Sequence, residues 1–123
     1  GICSHHSDYR LVWSMNEKIG LRLKKSENDY RIVGKKGEEI SVHSTFEYSD
    51  EENRLDYFLI KNKEQGHFLI HEKPSIDYFL FLCNNNAVEI EDLIQNLKTV
   101  SSVLAAYHFL PEEITSAENL EFN

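Results

Sequence analysis

The densest group of chemically capable side chains lies near the start of the sequence, where Cys3, His5, His6 and Asp8 stand close together. Borderline metals favour imidazole and thiolate ligands, and two of these groups could converge at a strand-to-helix junction. No second ligand group is identifiable elsewhere in the sequence, whereas the orphan N–H groups of a helix start need acceptors. Capping by His5, Ser7 and Asp8 is therefore the expectation, and no metal or other cofactor is expected. A second set, Glu72 with Asp77-Tyr78, sits at the entry to an apolar segment. A carboxylate there could act as a general base if buried beside a partner. Such residues also hydrogen-bond loop backbone and fix the entry of a strand, which is the expectation here. Arg10, one turn into the first helix, is the expected ion-pair partner for one of these acids. His43, His67, His71 and His108 are scattered and lack paired acids, so they are read as polar-face residues. Asp50-Glu51-Glu52 is read as a solvated turn, because it lacks the ligand spacing of a calcium loop.

Several established chemistries are excluded by motif. With only five glycines, at positions 1, 20, 34, 37 and 66, neither a GxGxxG nor a GxxxxGK phosphate loop can be written. No GxSxG elbow and no HExxH occur, and no nucleophile–base pair can be read from the sequence. The formal charge is 13 − 21 = −8, a balance that argues against nucleic-acid binding and against an anionic membrane surface. Arg22-Leu23-Lys24-Lys25 and Lys35-Lys36 are the basic clusters, each followed by acids, and are read as solvated turns. No apolar run approaches the ~20 residues that span a bilayer. Two lone cysteines outside any CxxC suggest a reducing compartment, and no signal-peptide pattern opens the sequence, so a cytoplasmic location is expected.

The elements that must position these residues follow from periodicity. With 123 residues and 41% hydrophobic content the chain fits one domain, residues 1–123. Leu11, Val12, Met15 and Ile19 form one helical stripe flanked by Tyr9 and Trp13, with Gly20 as the stop, which predicts a helix over 7–19. Strands are predicted at 30–33 and 40–48, separated by Gly34-Lys35-Lys36-Gly37. In the second, Ile40, Val42, Phe46 and Tyr48 take one face and Ser41, His43, Thr45 and Glu47 the other. A return strand spans 55–60, a short one 67–70, and a central one 76–83, apolar on both faces. Residues 88–99 read as the second helix and 103–110 as the last strand, with Leu120 and Phe122 docking the tail. The predicted core includes Trp13, Leu80, Leu82, Leu93, Ile94 and Leu97. The order predicts an α+β fold, an antiparallel sheet with two helices on one face. Its pattern is ferredoxin-like, of βαββαβ type, lacking the first strand.

The run Ile70-His71-Glu72-Lys73-Pro74-Ser75-Ile76-Asp77-Tyr78 resembles the signature of the bacterial IPExxxVDY proteins, a family of small uncharacterised proteins typical of Bacteroidetes. Ser4–Leu11, Trp13, Asn16–Leu21, Phe46-Glu47-Tyr48 and Ser116–Phe122 are also similar. His71 stands where the signature has proline, and Ile76 where it has valine. The resemblance implies no activity, cofactor or catalytic residue, and it implies a strand ahead of the first helix. That strand would be central, so its absence predicts unpaired backbone, covered by its neighbours closing on each other, by an internal segment such as Leu21–Leu23, or by a second chain; strand exchange in a homodimer is the expectation. The expected function is a non-enzymatic binding or assembly module. The alternative is an enzyme or small-molecule sensor with a polar site around His5, His6, Asp8, Glu72 and Asp77.

Overall fold

A computed structural model describes residues 1–85 and 88–114. The predicted docking of Leu120 and Phe122, and the similarity over Ser116–Phe122, lie outside the described residues. Among the described residues the chain is α+β, with two α-helices and a mainly antiparallel set of strands. The elements are β1 (Ile2–Cys3), α1 (Asp8–Ile19), β2 (Lys24–Lys25), β3 (Tyr30–Val33), β4 (Glu39–His43) and β5 (Thr45–Asp50). They continue as β6 (Leu55–Lys61), β7 (Lys63–Glu64), β8 (His67–Phe68), β9 (Tyr78–Cys83), α2 (Ile90–Lys98) and β10 (Ala105–Ala106), with a 3-10 turn at Pro111–Glu113. No helix among the described residues is long and apolar enough to cross a membrane.

Helix α1 starts where Ser7 accepts the Arg10 N–H on its hydroxyl, and stops at Gly20, whose φ of 73° only glycine adopts cheaply. Leu11, Val12 and Met15 are buried, as the stripe predicts. Trp13 corrects the predicted core: it is 66% exposed. Two residues along a helix is a rotation of about 200°, so burying Leu11 turns Trp13 outward.

The main sheet has the strand order β10-β1-β9-β6-β5-β2. The strand expected to be missing is present. Ile2 pairs with Tyr78 on one side and Ala106 on the other, both antiparallel, so the chain's own residues fill the first part of the central slot. Strand β6 pairs with β5 and with β9 over their full lengths and forms the spine. Its alternation feeds two cores. Leu55, Tyr57 and Leu59 join Leu11, Met15 and Leu97 beneath both helices. Ile60 joins Phe79, Leu69, Ile70, Ile76 and Ile114 on the opposite face. Leu80, Leu82 and Ile94 are only half-buried against the helical core.

Other expectations change in detail. The segment 40–48 is two strands, β4 and β5, broken at Ser44, and in β4 the polar face points inward: Ser41 and His43 are buried while Ile40 is exposed. Strand β4 pairs with β3 as a separate hairpin through the predicted 34–37 turn. Lys24-Lys25 is an edge strand on β5 and not a turn, a lysine-bearing edge of the kind that resists further pairing. The last strand shrinks to Ala105–Ala106.

Candidate functional site

The polar residues singled out in the sequence divide into those the fold ties down and those it leaves in solvent. Asp77 accepts the Ser4 N–H at 2.8 Å, and its own N–H donates to the Ile2 carbonyl at 3.0 Å. The Tyr78 phenol donates to the His6 carbonyl at 3.1 Å. Burial, with Asp8 and Asp77 nearby, pushes that phenol up to about 12. Asp8 accepts the Ser44 hydroxyl at 2.7 Å, tying the start of α1 to the β4–β5 break. These bonds stitch the turn 4–7 to the entry of β9, the structural role expected of Asp77 and Tyr78.

His5, His6 and Arg10 are exposed. His5 provides no cap; Ser7 and Asp8 accept the Arg10 and Tyr9 N–H groups, and Ser4 accepts the His6 N–H at 3.2 Å. Arg10 forms no ion pair among the described residues, which corrects its expected pairing, because Asp77 is spent on backbone. Glu72 meets His71 at 3.0 Å. Among the described residues no three His, Cys, Asp or Glu side chains converge as a metal would need.

Sequence reasoning missed two buried polar centres. Ser41 Oγ and His43 Nε2 lie 2.8 Å apart, and His43 Nδ1 lies 2.8 Å from the Lys61 carbonyl. A carbonyl can only accept, so Nδ1 carries the proton and Ser41 donates to Nε2. Burial lowers the His43 pKa below its ordinary value. This has the geometry of a nucleophile and its base, contrary to the absence expected, but the side chains are sealed at 2% and 0% exposure, where no substrate reaches. Asn62 is also fully buried. Its amide donates to the Lys73 and Ile76 carbonyls and its oxygen accepts the Ile70 N–H, so one side chain shapes the 69–77 loop. The i,i+2 spacing of Ser41 and His43 was the available signal; assigning that face to solvent concealed it.

An apolar concavity lies elsewhere. An apolar groove of about 300 Å³ lies between β9, α2 and the segment after β10. Leu80, Leu82, Leu93 and Ile94 line one side, and Tyr107, Phe109 and Ile114 contribute to the other. At the floor, the Gly1 nitrogen donates to the Tyr107 carbonyl and the Gly1 carbonyl accepts the Tyr107 N–H, both at 2.8 Å. Glu91 and His108, 3.7 Å apart, stand at the rim. None of the seven polar candidates lines this groove. The half-burial of Leu80, Leu82 and Ile94, predicted as closed core, follows from their facing it. Comparison with family models, with curated proteins and with solved structures finds no match to this chain.

Proposed function

We propose that this chain is a small, non-enzymatic binding or assembly module and that the groove between β9 and α2 is its binding site. One observation carries the reading: half-buried leucines and isoleucines from both a strand and a helix face a common concavity, while Asp8 and Asp77 of the polar cluster are tied to hydroxyl and backbone groups. Binding pockets are apolar concavities with few polar groups, and this one is at the lower end of their usual size. An enzyme built on His5, His6, Asp8, Glu72 and Asp77 finds less support, since none of those groups lines this groove. Nile red, a neutral apolar dye, should brighten on binding with about one site per chain, and Ile94→Glu should abolish the signal. No brightening with the folded wild-type chain would refute the site.

Three wider readings belong with this proposal. The order β10-β1-β9-β6 supports a ferredoxin-like core, with β5 and β2 added at one side. The IPExxxVDY resemblance supports a bacterial source, and the lone thiols support a cytoplasmic location. The homodimer no longer rests on a missing strand, because Ile2–Cys3 occupies that position. It carries over to the sheet's outer edge, where Ala105–Ala106 ends the strand order. Light scattering at twice the 14.4 kDa chain mass supports it, and a monodisperse monomer removes it.

A further inference from the structure

We infer that the concavity between α1 and the turn after α2 binds an uncharged saccharide, with one pyranose ring stacked on Trp13 and its hydroxyls held by Glu17, Lys18 and Ser101. This second site goes beyond the groove, with which it shares no lining residue.

The docking of α1 builds the concavity. Turning Leu11 and Met15 into the core leaves Tyr9, Trp13 and Glu17, each one turn from the next, as a stripe on the outer face of the helix. Ser14 is buried beside them, and its hydroxyl lies 2.8 Å from that of Ser102, which pins α1 to the turn. That turn is itself held: the Thr99 N–H donates to the Asn96 carbonyl, the Val100 N–H to that of Leu97 and the Val103 N–H to that of Val100. The open space measures about 410 Å³. Trp13, Glu17 and Lys18 of α1 border it with Thr99 and Ser101 of the turn, over buried Ser14 and Val100. A ligand meets walls already in place, so little ordering opposes its binding.

The lining selects a two-sided ligand. Trp13 is exposed and offers a broad apolar ring, which is best covered by a flat apolar surface. The turn contributes hydroxyl groups, which a ring apolar on both faces would strip of water without repayment. A pyranose has a face of C–H groups and a rim of hydroxyls, each able to donate and to accept. Glu17 accepts, Lys18 donates and Ser101 does either. Among the described residues these three side chains hold no hydrogen bond or ion pair, so their capacity is open to a ligand.

Charge separates this ligand from its competitors. Glu17 and Lys18 cancel, so the lining has no net charge to attract an ion. Both are exposed, and exposed ion pairs contribute little in water, which leaves a zwitterion without an advantage. A nucleotide base would also stack on the indole, but its phosphate meets a chain of net charge −8. Tyr9 stands about 6 Å from Trp13 along the helix axis, exposed and braced edge-on against Phe46. It carries the aromatic stripe past the concavity, which fits a chain of sugars better than a single ring.

Trp13 is the one tryptophan of the chain, so its emission reports on this site alone. The full chain is titrated with cellotetraose, maltotetraose and mannotetraose, all uncharged chains of pyranose rings. At least one should shift the emission to the blue and shield it from acrylamide, saturably, while the amide signals of residues 13–18 and 99–102 move most in NMR spectra. Sorbitol, which has the hydroxyls but no ring face, should give no saturable change. Trp13→Ala, folded because the side chain is exposed, should weaken binding by about tenfold or more in the NMR titration. Glu17→Ala should weaken it by about fivefold, the size of one lost hydrogen bond. Silence with all three sugars overturns the inference, as does a saturable response to sorbitol. Unchanged binding by Trp13→Ala overturns the stacking, and unchanged binding by Glu17→Ala overturns the polar rim. Choline or glycine betaine binding more tightly than the best sugar would assign the indole to a cation and overturn the uncharged ligand. Amide shifts confined to 80–83 and 90–97 would place the sugar in the groove and overturn this site.

Discussion

Asn62 contributes more than its position in a polar stretch suggests. Its side chain satisfies two carbonyls and one N–H that the 69–77 loop would otherwise bury unpaired. Asn62→Ala removes three bonds and strands their backbone partners, so a loss on the order of 3 kcal/mol is expected in denaturant unfolding. His43 adds a pH dependence. Its folded pKa lies below the ordinary value of 6.5 because burial disfavours the cation. As pH falls through 6.5 the unfolded chain takes up this proton first, so stability present above that value is lost downward through the folded pKa. Unfolding midpoints measured from pH 7.5 to 5 should fall, and His43→Gln should flatten part of the slope; an unchanged slope would show that His43 is not its source. At this scale the sequence was legible where a residue's job is local, as with the Ser7 cap and Gly20 stop. Asn62 and the Lys61 side of His43 were not legible, because those partners are backbone groups up to 18 residues away that no local pattern announces. The same reason hid the groove, whose walls come from segments brought together only by the sheet.

At the scale of elements, local signals placed both helices, the turn at 34–37 and the turn around Glu51-Glu52, although Asp50, read as part of that turn, ends β5. Strand lengths were less legible: apolar character continues past the last ladder bond, so 103–110 reads as a strand although only Ala105–Ala106 pairs with β1. Leu59, 1% exposed at the middle of β6, should cost ~2–5 kcal/mol on replacement by Ala. Trp13→Ala, despite the larger residue, should cost less than about 1 kcal/mol, since an exposed side chain leaves no cavity. Gly20→Ala tests the helix stop separately. A Cβ there meets nothing within 4 Å, so its expected cost of ~1–2 kcal/mol is the left-handed backbone alone. Urea unfolding of the three variants should rank them Leu59, Gly20, Trp13.

For the whole molecule, the sheet's construction predicts an order of opening. Strand β6 is hydrogen-bonded on both sides and buried on both faces, with Leu59 and Ile60 almost without exposure. Its amides should exchange only through global unfolding. The β3–β4 hairpin belongs to another sheet, and Val33 and Ile40 there are exposed. The β7–β8 pair is two residues long on each side. Neither hairpin needs the six-stranded sheet to break before it opens. Native-state hydrogen exchange should therefore show two tiers, with β6 and the Tyr78 end of β9 slowest and residues 34–37 and 63–68 fastest. His43 links the tiers, because its ring joins β4 to the Lys61 carbonyl at the end of β6. Lowering the pH below 6.5 should consequently reduce the protection factors of β4, corrected for intrinsic exchange, before those of β6. If both strands lose protection together, the hairpin and the sheet form one cooperative unit, and His43 does not act as the latch between them.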